Sequence, residues 1–330
     1  MAIDSFELRG KPNIPANAHT VFVFDLPFSI PVPDGIYQTK VGTHVAEISV
    51  KRIQREKIEG FEGRGTLQMM FDKYGKSSFS HIDLKLPWVV DFFEIGRKPL
   101  LINAPPRAKA KEIALHYLNR FIEVVRYITG EYWVEPVRYQ DILTYGAFYW
   151  DGKKRYPAGL HLLDSGVGGF RVGGGHPFQM EKEKIEKLNS ILKNELEIDS
   201  SKIFILNAKD SCLQEDFRLA VIETVAALEV VLYKFIRLQG HKLQIQNDEL
   251  KGFIADVGLT GNISVVLRML TGGLEQIDEE TIRKCRGIIK IRNKILHEGL
   301  RDIGSTDTEE RLVAVERMIA YLEKLISQIG

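Results

Sequence analysis

The sequence predicts an α+β protein, with a mixed, strand-rich N-terminal domain followed by an all-α C-terminal helical bundle. Two observations carry this. Before about residue 176, β-branched and aromatic residues cluster in short alternating runs. From Pro177 onward, apolar residues recur at helical spacing with charged residues opposite them. The division expected is an α+β domain over 1–176, a helical connector over 177–204 and a bundle over 205–330. A chain of 330 residues is long enough to bury the cores of two such domains.

In chain order, Thr20 to Asp25 (TVFVFD), Val41 to Val50 (VGTHVAEISV) and Phe79 to Leu86 (FSHIDLKL) read as strands. In the third, Ile82, Leu84 and Leu86 share one face. Further strand candidates are Leu100 to Ile102, Ile142 to Trp150 and Gly159 to Leu163. Between them lies one helix, Lys109 to Thr129, whose Leu115, Leu118, Phe121, Ile122 and Val125 recur at helical spacing. Pro105 and Pro106 precede it and Gly130 stops it.

In the second half, Glu181 to Leu196 repeats Ile185, Leu188, Ile191 and Leu192 as a helix. A strand-like run, Lys202 to Leu206, follows. Ser211 and Gln214 form a capping-box pattern that predicts the start of a long helix reaching about Arg237. Short helices are expected at Asn247 to Asp256 and Asn262 to Leu270, with Gly272 and Gly273 as breakers. A helix from about Asp278 to His297 ends at Gly299, and a last helix runs from Thr306 or Asp307 to about Ser327.

Composition narrows the function classes. Net charge is +1, so a nucleic-acid surface has to be a local patch. Cys212 and Cys285 are too few for a disulfide framework or a zinc cluster and read as reduced core thiols of a cytoplasmic protein. The N-terminal stretch has no apolar signal region, and no run of 18 uncharged apolar residues is seen, so no membrane span is expected. The glycine-rich stretch 164–176 (DSGVGGFRVGGGH) lacks the Gly-Lys-Ser/Thr ending of a phosphate loop and suits a hairpin and hinge. His161 and His176 flank it without metal-ligand spacing, and no metal or other cofactor is expected. Tyr145, Phe148, Tyr149, Trp150 and Tyr156 lie beside Lys153, Lys154 and Arg155. That mixture suits base stacking, and a buried strand followed by a charged turn explains the same letters.

The helix Glu279 to Gly299 carries the sharpest pattern. At about 100° per residue, Arg283, Arg286, Lys290, Lys294 and His297 fall on one arc, a cationic stripe ending in an imidazole. The opposite arc holds Ile282, Cys285, Ile288, Ile289, Ile295 and Leu296, with Arg292 in its middle. A guanidinium on an apolar face calls for a carboxylate, a partner chain or a phosphate, because desolvating it unpaired costs several kcal/mol. Glu229, inside the apolar run AALEVVL, is the first candidate carboxylate and Glu223 the second. A structural Arg–Glu pair between helices, and a His complementing a helix C-terminus, are the plain explanations.

The string Arg292-Asn293-Lys294-Ile295-Leu296-His297 resembles the Arg-x4-His signature of the HEPN superfamily, and its ApeA-like branch in particular. Leu219 to Phe235, with an acidic residue near its middle, resembles the first helix of such a bundle, and Arg311 to Leu325 the last. The likeness covers about residues 205–330 and says nothing of 1–200. It implies metal-independent RNA cleavage in a homodimer, in a toxin or antiviral defence protein. His297 is then the proton carrier, since an imidazole titrates near ~6.5. Arg292 is implied as the stabiliser of the transition-state charge, Asn293 as an orienting residue, and Arg283, Arg286, Lys290 and Lys294 as contacts to the RNA backbone. Positions five apart on an ideal helix point about 140° apart, so one chain does not bring Arg292 and His297 together, and a site shared by two chains does. The alternative is a catalytically silent dimerisation or RNA-binding module. A third reading puts the activity in the N-terminal domain, with an unidentified ligand there.

Overall fold

The computed structural model describes residues 17–26, 28–54, 78–87, 107–138, 144–162, 180–272 and 277–329. The chain divides into two compact units, 1–198 and 199–330. The expected architecture of strands first and helices second is found.

The first unit contains a six-stranded antiparallel sheet. Its strands are β1 (His19–Asp25), β2 (Gly35–Val41), β3 (His44–Gln54), β4 (Ser78–Lys85), β5 (Thr144–Trp150) and β6 (Arg155–Leu162), in the order β2-β3-β4-β1-β5-β6. Alternation decides which face is buried. Phe22 and Phe24 on β1, Ala46, Ile48 and Val50 on β3, and Ile82 and Leu84 on β4 enter one core. Helix α1 (Arg107–Thr129) adds Leu118, Phe121, Ile122 and Val125 to that core, as its spacing predicts. Helix α2 (Lys182–Asn194) adds Leu188, Ile191 and Leu192. It therefore belongs to the first unit, and the expected connector 177–204 is split at Asp199 between the two units.

Val41 to Val50, expected as one strand, is the junction of a hairpin. Val41 pairs with His44 across a two-residue turn, where Gly42 takes a φ of 59°. Glycine reaches that left-handed conformation without steric cost, and the alternating letters on either side hide the reversal. The candidate strand Leu100 to Ile102 and the glycine-rich stretch 164–176 lie outside the described residues.

The second unit is helical: α3 (Ser200–Leu213), α4 (Phe217–Lys242), α5 (Asn247–Gly261), α6 (Leu267–Thr271), α7 (Glu279–Glu298) and α8 (Ser305–Ile329). A π-helical turn, Asn262–Val266, joins α5 to α6. Two expectations are corrected here. The strand-like run Lys202 to Leu206 is the first half of α3, opened by Asp199, whose carboxylate accepts from Ser201 N at 2.9 Å. An apolar run this short has no periodicity of its own, so its neighbours decide. Ser211 and Gln214 do not open the long helix. Ser211 is buried inside α3, and α4 is capped by Asp216, whose Oδ1 accepts from Leu219 N at 3.0 Å.

The core of this unit is built on α4, where Val221, Val225, Leu228, Leu232 and Phe235 are buried. Ile282, Cys285, Ile288 and Ile289 of α7 and Val315, Met318 and Leu322 of α8 meet them. The run Asn247–Thr271 is apolar enough to cross a membrane by length and composition, with mean hydropathy 1.4 over 18 residues and 28% of that window buried. The sequence reading did not anticipate this. Leu250, Ile254, Ile263 and Leu267 of that run point into the helical core.

Candidate functional site

Helix α7 is fixed at both ends by local chemistry. Asp278 caps its start, with Oδ1 accepting from Thr281 N at 2.6 Å and Oδ2 from Thr281 Oγ1 at 3.1 Å. Those two bonds hold the Asp278 carboxyl below its ordinary range. Gly299 ends the helix at a φ of 69°, the left-handed position glycine favours. Between the caps, Ile282, Cys285, Ile288, Ile289 and Ile295 are buried, so the arc that faces inward is the predicted one. Leu296 departs from it at 51% exposed, because the core tapers towards the end of the helix.

The opposite arc lines an open groove of about 530 Å³. Arg283, Arg286, Lys290, Asn293, Lys294 and His297 border it, with Gly287, Glu298 and Thr260 of α5. Five of its nine bordering residues are the predicted stripe of α7 and a sixth, Asn293, belongs to the motif; Gly287 was not anticipated, and Thr260 was missed because only the fold brings α5 there.

Charge in the groove is uneven. Arg283 is held by Glu280, with Nε and Nη2 donating at 2.9 and 2.6 Å. Arg286, Lys290 and Lys294 make no ion pair among the described residues, and His297 makes no hydrogen bond among them. Cations left in water beside one another repel, so this part of the wall carries positive charge that no carboxylate among the described residues pairs with.

Arg292 is not part of that wall. It is half-buried, and its Nη1 donates to Asn293 Oδ1 at 3.2 Å. The expected ion pair with Glu229 is not formed among the described residues. Glu229 stands beside Tyr233, where burial first and the Glu229 carboxylate second push the hydroxyl up to about 12; the Arg292 charge works against that shift. Arg292 is thus near enough to Tyr233 of α4 for its charge to act there, and it is only half-buried, so water reaches the guanidinium. Glu223 lies between α3 and α4, accepting from Asn207 Nδ2 at 3.5 Å, and does not border the groove. The divergence of Arg292 from His297 follows from the helix geometry already noted.

Burial pushes the Cys285 thiol up to about 12 and the Cys212 thiol up to about 11, so neither is poised as a nucleophile. In the first unit, the described part of the aromatic cluster packs within its own hairpin. Tyr149 is fully buried, Arg155 covers Phe148 at 4.4 Å from the ring centre, and Lys154 lies 5.4 Å from that of Tyr156. The cations thus cap their own hairpin's rings.

One polar cluster escaped sequence reasoning. His81 Nδ1 lies 2.7 Å from Asp25 Oδ1, and its Nε2 lies 3.5 Å from Asp83 Oδ1. The hydrogen bond to Asp25 first, and the nearby Asp83 carboxylate second, push the imidazole up to about 9. His81 and Asp83 sit two apart on β4, a visible spacing, but Asp25 joins them only through the β1–β4 register. Among the described residues, no group of three or more His, Cys, Asp or Glu side chains is placed to hold a metal ion.

Compared with models of known protein families, with curated proteins and with solved structures, the chain matches none.

Proposed function

We propose that the helical unit binds RNA along the α7 groove and cleaves it without a metal, in a site completed by a second copy of the chain. The observation that carries this reading is the groove itself, where Arg286, Lys290 and Lys294, all without ion pairs among the described residues, lead to His297. The cations meet successive phosphates. At the scissile phosphate, His297 takes the proton of a ribose 2′-hydroxyl. The 2′ oxygen bonds to phosphorus, the bond to the 5′ oxygen breaks, and that oxygen takes up a proton. The products are a 2′,3′-cyclic phosphate and a free 5′-hydroxyl. The charge that gathers on phosphorus needs a guanidinium, and Arg292 of the second copy supplies it. The HEPN likeness of this helix order points the same way and suggests a toxin or antiviral role in the cytoplasm.

A second reading is favoured by one observation: Arg292 does not border the groove and is hydrogen-bonded to its own neighbour, Asn293. In that reading the unit binds RNA or dimerises and cuts nothing. Incubating a mixed RNA pool with the protein in EDTA separates the two. The proposal expects cyclic-phosphate ends from wild type and none from His297→Ala or Arg292→Ala. Equal cleavage by all three proteins removes this motif from the chemistry.

A further inference from the structure

Among the residues that border the groove, only Thr260 comes from outside α7. The chain around it is irregular. Gly258 takes a φ of 67° and a ψ of 167°, a conformation that essentially only glycine adopts, so α5 is broken there. After Thr260 and Gly261 comes the π-helical turn Asn262–Val266, a feature frequent at functional sites. Asn262 is fully buried, and its Nδ2 reaches back over the break to donate to the Ile254 carbonyl at 3.0 Å. That bond ties the two segments together and fixes Thr260 between the break and the turn. Thr260 itself is exposed, and its hydroxyl makes no hydrogen bond among the described residues. The groove therefore has two unlike sides. Arg286, Lys290 and Lys294 suit phosphates, which carry the same charge in RNA and DNA. Thr260 offers a neutral hydroxyl that both donates and accepts, as a ribose 2′-hydroxyl does. Asn293, the other uncharged polar side chain on the border, is engaged by Arg292 through its Oδ1.

We propose that Thr260 is the residue by which the groove tells RNA from DNA, its hydroxyl bonding a ribose 2′-hydroxyl of a strand whose phosphates lie along α7. This rests on the RNA reading above. A strand held by its phosphates turns its sugars away from the cations, and α5 supplies the polar group that meets them from the other side. The break at Gly258 and the turn at Asn262 then have a role: they hold the hydroxyl in place beside the cationic row.

The test uses the full chain with His297→Ala to keep RNA intact. The probes are a fluorescein-labelled single-stranded RNA of mixed sequence and its deoxy counterpart, which keeps uracil so that only the 2′-hydroxyls differ. The Kd for each strand is measured in EDTA at a fixed salt concentration. The parent chain is expected to prefer the RNA. Thr260→Val keeps the shape of the side chain and removes the hydroxyl. It is expected to weaken RNA binding by roughly two- to tenfold, the usual worth of a hydrogen bond, and to leave the DNA Kd unchanged. Thr260→Ser keeps the hydroxyl and is expected to retain the preference. Lys290→Gln is expected to weaken both strands alike, because it removes a phosphate contact. Thr260 is exposed, so its substitutions do not open the core, and circular dichroism verifies that each variant stays helical. The assignment is overturned, while the groove stands, if the parent binds both strands equally or if Thr260→Val keeps the RNA preference. Equal weakening of RNA and DNA by Thr260→Val overturns it too and marks a phosphate contact instead. Absence of RNA binding by the parent chain overturns the RNA reading, and this assignment with it.

Discussion

His81 and His297 occupy opposite electrostatic settings. His81 sits on the sheet between Asp25 and Asp83, 2.7 and 3.5 Å from their oxygens, and is pushed up to about 9. At neutral pH it is a fixed positive charge that joins β1 to β4. His297 borders a groove of lysines and arginines and has no hydrogen-bond partner among the described residues. An imidazole with two carboxylates is committed to structure. One with cations around it and no hydrogen bond among the described residues has no such commitment. The difference lies in the partners, and the residue type alone does not reveal it.

The largest expected effect falls on the groove histidine. His297→Ala should lower RNA cleavage by about 10²-fold or more, the usual worth of a positioned acid–base group, and leave thermal unfolding nearly unchanged because the side chain is exposed. His81→Ala should do the reverse, leaving the cleavage rate within about twofold and lowering the melting temperature of the sheet unit. If both variants lose cleavage equally while folded, the contrast between the two histidines is broken.

The two arcs of α7 give the next comparison. Ile288 is fully buried, and Ile288→Ala should cost about 2–5 kcal/mol in denaturant unfolding of the helical unit. Lys290→Gln on the outer arc should cost no more than about 0.5 kcal/mol and should instead weaken RNA binding most at low salt. A large loss of stability in Lys290→Gln would mean that the groove wall is structural.

The smallest effect sharpens the account of His81. Its folded-state value is raised above the ordinary imidazole value, so its protonation stabilises the folded sheet. That contribution is fully present below about pH 6.5 and is lost as pH rises through about 9. Water reaches the cluster, so the loss should be about 1 kcal/mol. The three tryptophans, Trp88, Trp133 and Trp150, all lie in the first unit, so their fluorescence reports its unfolding separately. Asp25→Asn should flatten the decline between those pH values, and an unchanged decline would show that another group titrates there.

Helix α7 was legible because every signal agreed. Asp278 and Gly299 mark its ends, and its isoleucines keep one period between them. Helical spacing alone separates the two arcs, and the stripe from Arg283 to His297 is one wall of the groove. What escaped depended on position in three dimensions. The partner of Arg292 was sought in Glu229 because the apolar arc was taken as buried along its whole length, whereas the core thins out before the helix ends. Asp25 meets His81 through strand register, and Thr260 of α5 reaches the groove of α7 through the fold, neither of which has a local signature. The β2–β3 turn and the start of α3 were missed for a simpler reason. Gly42-Thr43 sits inside a run that alternates only loosely, and Ile203 to Leu206 is apolar at every position, so periodicity could not separate strand from turn or helix.

The central claim is that the motif is split across α7, with His297 in the groove and Arg292 outside it, so that cleavage needs two chains. Subunit mixing tests this most directly. Arg292→Ala and His297→Ala proteins are prepared separately, each inactive, then unfolded, mixed in equal amounts and refolded together. Mixed dimers carry one site with both residues intact, so the account predicts that metal-free cleavage returns to about a quarter of the wild-type rate, given about half mixed dimers with one intact site of two. A mixture that forms mixed dimers, as tagged chains would verify, and still leaves RNA uncut would contradict the shared site.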